Sequence, residues 1–172
     1  PAVYGGLTFS WKQDDASGDI YRAIRMDPHT EITPVVAIPA KPLSTAAART
    51  LLPATVPYTE AVANAARAAL LAPAMTRDPK LLFAATEDWL HQQYRQPSMP
   101  ETLAHITALR AQGHAAVVSG AGPTLCVFAA DSDETNVVVQ QLEQRAAKSS
   151  QHWDVRILPV DTEGATMEIF RP

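Results

Sequence analysis

The chain has 172 residues, enough for one domain with a sizeable core or for a domain and part of a second. Its 47% hydrophobic and 19% charged residues are typical of globular proteins, and a net charge of −4 offers no basic surface for nucleic acid. The longest uncharged apolar run, residues 68–75, is too short to cross a bilayer. The sequence therefore predicts neither a nucleic-acid partner nor a membrane partner.

The first third of the chain predicts three strands. Residues 4–11 and 19–26 alternate apolar with small or polar side chains, and residues 12–18 between them are turn formers, which together predict a β-hairpin. Residues 33–39 form an apolar run bounded by prolines, typical of a short strand that is buried on both faces. Because the chain begins without methionine inside a predicted strand, we expect it to be a piece of a longer protein.

The middle of the chain has helical spacing of its apolar residues. Helices are predicted at residues 46–52, 58–71, 79–91 and 100–112. Ser44 and Thr45 provide hydroxyl groups that can cap the first helix, and Pro53 ends it. Gly113 is a C-cap signal for the last one.

The final third returns mainly to strand patterns. Strands are predicted at residues 115–119, 124–130, 153–160 and 165–170, with an amphipathic helix at residues 133–148. From residue 35 the order is strand, helices, strand, strand, helix, strand. This order indicates an α+β protein with the split β-α-β arrangement of ferredoxin-like folds and extra helices in the first crossover.

Cys126 is the only cysteine, which excludes an internal disulfide and a cysteine zinc site. It lies in a strand-like apolar run, where a buried small hydrophobic side chain is a better interpretation than a nucleophile. This cysteine usage predicts a reducing, cytoplasmic location. The five histidines show no spacing typical of metal ligands, so we expect no metal site.

A glycine-rich loop follows the strand at residues 115–119. Ser119, Gly120, Ala121, Gly122 and Pro123 form it, and its glycines would let backbone N–H groups approach an anionic ligand. A tight strand connection without a ligand explains the same residues equally well. Ser119 has no G-x-S-x-G context, so a hydrolase nucleophile is not indicated.

Two arginines are candidates for holding a carboxylate or phosphate. Thr45 and Arg49 are four residues apart and share a helix face near its N-terminus, although a cap and a solvated arginine would give the same pattern. Arg95 lies at a predicted helix end before Pro97, where a cation is often only structural.

Segments along nearly the whole chain resemble the homoserine kinases, a family within the GHMP kinases. The run Y-G-G-L-T at residues 4–8 resembles the strand after that family's central motif. The runs L-S-T-A-A-A-R at residues 43–49 and L-H-Q-Q-Y-R at residues 90–95 resemble two segments specific to homoserine kinases. The run V-S-G-A-G-P-T at residues 118–124 resembles the third motif of the superfamily.

The resemblance implies transfer of the γ-phosphoryl group of ATP, with Mg²⁺, to the side-chain hydroxyl of L-homoserine in threonine biosynthesis. It implies that Arg49 and Arg95 bind the homoserine carboxylate, that Thr45 lies beside the substrate, and that the loop at residues 119–122 shapes the cleft. Guanidinium groups suit a planar carboxylate, which agrees with the interpretation of the residues themselves.

The resemblance also implies that the two halves of the enzyme bind different substrates. The family's ATP-binding run P-x-G-x-G-L-G-S-S and its acidic residues near magnesium lie toward the N-terminus, and that run does not occur in this sequence. We therefore expect no catalytic residue here, an inactive chain when alone, and the N-terminal half of the enzyme as its partner. Residues 1–34 would be strands of that N-terminal kinase domain, and residues 35–172 the C-terminal domain.

Two alternatives remain open at the level of sequence. The chain could be a non-catalytic ferredoxin-like module that binds an amino acid, in which case it should bind homoserine or threonine tightly by itself. It could also belong to a GHMP kinase for an isoprenoid or sugar alcohol, although Arg49 and Arg95 favour a carboxylate substrate. Separated from its other half, the chain could associate with itself through the first predicted strand.

Overall fold

The computed structural model describes residues 3–15 and 18–168. The strands are β1 (Leu7–Asp15), β2 (Gly18–Met26), β3 (Thr33–Pro39), β4 (Ala116–Val118), β5 (Leu125–Ala129) and β6 (Trp153–Ile157). The α-helices are α1 (Thr45–Thr50), α2 (Tyr58–Thr76), α3 (Leu82–Ala85), α4 (Pro100–Arg110) and α5 (Ser132–Ala146). Two 3₁₀ turns, Pro79–Leu81 and Gln93–Ser98, precede α3 and α4 respectively.

β1 and β2 form an antiparallel hairpin, in register from Leu7 opposite Met26 to Asp15 opposite Gly18. The predicted hairpin is confirmed. The predicted loop at residues 12–18 is wrong for residues 12–15, which continue β1, and for Gly18, which begins β2, because their backbone groups pair in spite of the turn-forming side chains. Its residues 16 and 17 lie outside the described residues.

The remaining strands form an antiparallel sheet in the order β4-β5-β3-β6. The two strands that lead into helical crossovers, β3 and β5, are central, and the two that follow a crossover, β4 and β6, lie at the edges. This is the arrangement of a ferredoxin-like split β-α-β fold, so the predicted α+β architecture is confirmed. Its core packs α4 and α5 against the sheet through Val35, Ile106, Leu109, Leu125, Val127, Val138, Leu142 and Trp153.

A second cluster of buried side chains lies beside this sheet. It contains Ile32, Ala74, Met75, Leu82, Ala85 and Ala115, and Leu7 of the hairpin packs against it. α2 reaches Thr76 and not residue 71 as predicted, although Pro73 removes a backbone donor within the helix. Burial of Ala74 and Met75 in the cluster offsets that loss.

The helix predicted at residues 79–91 is wrong beyond residue 85. Thr86 donates its hydroxyl to the Leu82 carbonyl at 2.7 Å, and the Asp88 carboxylate then accepts the next free backbone N–H groups. These side-chain bonds compete with the helical ones and turn the chain. The strand predicted at residues 165–170 is not formed over residues 165–168, and its last two residues lie outside the described part. Other element boundaries differ from the predicted ones by a few residues.

Candidate functional site

A cavity of about 310 Å³ lies between the turn that follows α3 and the end of β4. It is lined by Thr86, Asp88, His91, Gln92, Arg95, Val117, Val118 and Gly120. Two of the segments singled out in the sequence, the one ending at Arg95 and the glycine-rich loop, therefore meet at one place.

Arg95 is buried, with 8% of its surface exposed. Its Nη1 donates to the Gly120 carbonyl at 3.0 Å, which joins the 3₁₀ turn to the glycine-rich loop. Its Nε is buried and has no hydrogen-bond partner in the described part of the chain. Within residues 3–15 and 18–168 no carboxylate forms an ion pair with it. A buried cation without a counterion is costly, so this side chain is suited to an anionic ligand.

Asp88 holds the turn that carries Arg95. Its carboxylate accepts the backbone N–H groups of Leu90 at 3.1 Å and His91 at 3.0 Å, and that of Gln92 as well. It also contacts the His91 Nδ1 at 3.1 Å. These contacts use the acceptor sites of both carboxylate oxygens, so Asp88 acts as a cap for the turn and has little capacity left for a ligand.

Gln92 ties the same turn to the sheet. Its Oε1 accepts the backbone N–H of Val118 at 2.6 Å. Val118 is the last residue of β4, an edge strand, and its N–H would otherwise lack a partner on that side. The cavity wall formed by the turn and the wall formed by the sheet are thereby held at a fixed separation.

The glycine-rich loop is a tight connection between β4 and β5. The Ser119 N–H donates to the Thr124 carbonyl at 2.8 Å, and the Gly122 N–H donates to the Ser119 carbonyl at 3.0 Å. Gly120 and Gly122 have φ values of 59° and 84°, a region that glycine adopts without strain. A Cβ on Gly122 would lie 2.6 Å from the buried Met99 Cε. The loop's backbone, including the half-buried Ala121, therefore follows one path past the cavity.

Thr45 and Arg49 lie apart from this cavity. Ser44, not Thr45, caps α1, since its Oγ accepts the Ala47 N–H at 3.5 Å. Thr45 and Arg49 are exposed, and neither is among the residues that line the cavity around Arg95. Their role in substrate binding stays a prediction.

Sequence reasoning missed Arg110, which supports the wall of the cavity from behind. Its Nη1 donates to the Thr86 hydroxyl at 3.0 Å and its Nη2 to the Phe83 carbonyl at 2.8 Å. Its guanidinium also lies 4.6 Å from the centre of the Phe83 ring. Desolvation lowers the pKa of Arg110. An arginine near the end of a helix is usually solvated, so its position in the sequence gave no signal for these contacts.

The cysteine and the possible metal ligands are further candidates for chemistry. Cys126 is buried as predicted, and burial raises the pKa of its thiol to about 12, which keeps it protonated and unreactive. In the described part of the chain no three His, Cys, Asp or Glu residues are grouped to hold a metal ion. No helix among these residues is long and apolar enough to span a membrane.

The family model "GHMP kinases C terminal" matches residues 60–148. The chain belongs to this family. The matched residues of the GHMP kinase domain include Arg95, Gly120 and every other residue that lines the cavity, whereas Thr45 and Arg49 precede the match.

Individual relatives of this GHMP kinase domain are named homoserine kinases. The chain is 48% identical to the homoserine kinase of Streptomyces coelicolor over 165 residues, which cover 96% of the chain and 50% of that protein. It is 41% identical to the homoserine kinase of Clavibacter michiganensis subsp. michiganensis over 169 residues, 98% of the chain and 51% of the relative. The chain thus spans about half the length of the curated relatives it matches.

Solved structures agree with the fold. A homoserine kinase from Cytophaga hutchinsonii superposes with a TM-score of 0.81 at 19% identity, covering 95% of this chain and 51% of that one. A putative homoserine kinase from Listeria monocytogenes gives a TM-score of 0.64 at 28% identity, with 100% of this chain and 54% of that one covered. The arrangement of the described elements is therefore that of a GHMP kinase C-terminal domain.

Proposed function

We propose that the chain forms the amino-acid-binding part of a homoserine kinase, which transfers the γ-phosphoryl group of ATP to the side-chain hydroxyl of L-homoserine. The observation that carries this proposal is the buried guanidinium of Arg95, whose Nε has no hydrogen-bond partner among the residues that the structure describes. A planar carboxylate fits such a group, because two oxygens can accept parallel hydrogen bonds from its edge. The names of the relatives support homoserine as the carboxylate that binds.

In this proposal the chain positions the substrate and does no acid–base chemistry. Arg95 holds the carboxylate, and the hydroxyl to be phosphorylated extends along the glycine-rich loop at residues 119–122. Binding of the same substrate by Arg49 and Thr45 stays a prediction, because both are exposed on α1 and lie outside the cavity around Arg95. Holding the acceptor hydroxyl in line with the phosphoryl group is a large part of catalysis in phosphoryl transfer, because little covalent work is left for the protein.

In this proposal ATP and Mg²⁺ bind to the other half of the enzyme. That half supplies the acidic residues near magnesium and the phosphate-binding loop, whose typical run does not occur in the sequence of this chain. We place the domain boundary near residue 34, so that the β1–β2 hairpin belongs with that half. The single buried thiol fits a cytoplasmic enzyme.

The test uses a joined enzyme, in which this chain is fused to the part of the Streptomyces coelicolor homoserine kinase that lies outside the aligned half. ADP release is measured with homoserine and with 3-aminopropan-1-ol, which has the same amino alcohol skeleton without the carboxylate. We expect Arg95→Ala to raise the KM for homoserine by about 10- to 100-fold, since a charged hydrogen-bonded partner is lost. The KM for the aminoalcohol should hardly change.

Arg77→Ala, at an exposed residue outside the cavity, is the matched control and should leave both KM values unchanged. Turnover of galactose or mevalonate but not of homoserine would contradict the proposal and favour a GHMP kinase for another alcohol. Tight binding of homoserine by the isolated chain, without turnover in the joined enzyme, would instead indicate an amino-acid-binding module.

A further inference from the structure

We infer that Gln92 determines specificity for the carboxylate, by donating a hydrogen bond from its Nε2 to the same anion that Arg95 holds. This inference rests on the proposed function and adds a second binding residue to it. Its basis is the fixed orientation of one amide group in the wall of the cavity.

The orientation of the Gln92 amide follows from its partner. The Val118 backbone N–H can only donate, so the atom that meets it at 2.6 Å must be the amide oxygen. The Nε2 of Gln92 is therefore turned away from the strand, and it has no hydrogen-bond partner among the described residues. Gln92 lines this cavity and also a neighbouring one beside Phe83 and Arg110, and we infer that its Nε2 serves an anion in the first.

The other polar side chains of the cavity wall are already engaged. The Thr86 hydroxyl donates to the Leu82 carbonyl and accepts from Arg110. Both oxygens of Asp88 accept N–H groups, and the Nδ1 of His91 contacts Asp88. Apart from the Nε2 of His91, which can accept or donate, the side-chain groups left for a ligand are the donors of Gln92 and Arg95, which suit an anion.

The two donors belong to residues on one face of the same turn. Gln92 and Arg95 are three residues apart in a helical turn and so lie on the same face of it. The Nη1 of Arg95 donates to the Gly120 carbonyl, so the edge of the guanidinium that carries Nε remains available for a ligand. One oxygen of a carboxylate can accept from this edge while the other accepts from Gln92. A substrate without a carboxylate would leave both donors buried and unpaired, which costs affinity.

The test compares two substitutions in the joined enzyme. Gln92→Glu keeps an oxygen acceptor for the Val118 N–H but replaces the donor with a negative charge. Gln92→Met removes both the acceptor and the donor at similar length. We expect the KM for homoserine to rise about 10-fold in Gln92→Met and about 100-fold in Gln92→Glu, with kcat changing much less. The KM for 3-aminopropan-1-ol should not rise in Gln92→Glu.

Gln96→Glu, an exposed glutamine of the same 3₁₀ turn, controls for the added charge and should leave KM unchanged. If Gln92 serves only to tie the turn to β4, the order reverses: Gln92→Glu would resemble the wild type and Gln92→Met would be the damaged variant. That order, in an enzyme that turns over homoserine, would overturn the role of Gln92 alone. Absence of homoserine turnover in the wild-type joined enzyme would overturn the proposed function and this inference together.

Discussion

Arg95 and Arg110 are both withdrawn from solvent, and their surroundings separate a binding arginine from a structural one. Arg110 directs its guanidinium to the Phe83 carbonyl and the Thr86 hydroxyl and lies against an aromatic ring. Arg95 is more deeply buried, yet among the described residues its guanidinium has one carbonyl partner and its Nε has none. A guanidinium that is already satisfied stabilises the fold, whereas one that is not is suited to a ligand.

We predict that Arg110→Lys lowers the free energy of unfolding by about 1–2 kcal/mol, because an ammonium cannot reproduce the simultaneous contacts with the Phe83 carbonyl and the Thr86 hydroxyl. Urea denaturation of the chain followed by circular dichroism measures this change. Arg77→Lys, at an exposed position, is the control and should change it by less than about 0.5 kcal/mol. Equal stabilities for the two variants would show that Arg110 does not hold the wall of the cavity.

At the scale of single residues, the sequence predicted the features that depend on neighbouring residues or on a recognisable segment. The buried Cys126 follows from its apolar run, and the meeting of Arg95 with Gly120 follows from the resemblance of their two segments. The contacts of Arg110 and Gln92 could not be predicted, since they join residues 27 and 26 positions apart in the chain. Such contacts are created by tertiary packing and leave no periodic pattern.

Among the elements, the strands of the main sheet were predictable and the turn after α3 was not. The apolar runs around Val35 and Val127 can be buried only as central strands, so their order with the helices indicated the fold. The apolar residues Leu82, Phe83 and Leu90 have helical spacing. The departure of residues 86–91 from a helix depends on Thr86 and Asp88. A side chain that can satisfy several backbone N–H groups outweighs a weak periodic pattern.

The glycine-rich loop provides a prediction at this scale, from two glycines with similar φ. In Gly120→Ala the new methyl group meets no atom within 4 Å, so the cost is the left-handed conformation alone, about 1 kcal/mol. In Gly122→Ala the methyl group also displaces the buried Met99 and crowds Val118. We expect the free energy of unfolding to fall by at least about 1 kcal/mol more than in Gly120→Ala. Urea denaturation that shows equal losses would contradict the described path of the loop.

At the scale of the whole molecule, the β1–β2 hairpin is a separate two-stranded sheet with an exposed apolar face. In the described residues it pairs with no further strand, and Trp11 and Ile24 on one of its faces are 46% and 53% exposed. An isolated two-stranded sheet with an open apolar face is only marginally stable. In the proposed enzyme the other half covers this face, which explains why the hairpin is apolar there.

We therefore predict that the isolated chain associates with itself through the hairpin. Analytical ultracentrifugation should show a sedimentation coefficient that rises with concentration, and Ile24→Lys should abolish the rise by placing a charge on the apolar face. Val137→Lys is the control, because Val137 has a similar exposure of 44% but lies on α5 and not on the hairpin. A monodisperse monomer at every concentration would count against association.

The central claim is that the unpaired edge of Arg95 receives a carboxylate from the substrate. The most direct measurement is a crystal structure of the joined enzyme with homoserine and a non-hydrolysable ATP analogue. We predict a homoserine carboxylate oxygen about 2.8 Å from the Nε of Arg95, inside the cavity bounded by Gly120 and Gln92. A bound homoserine whose carboxylate lies elsewhere, while that Nε keeps no partner, would contradict the claim.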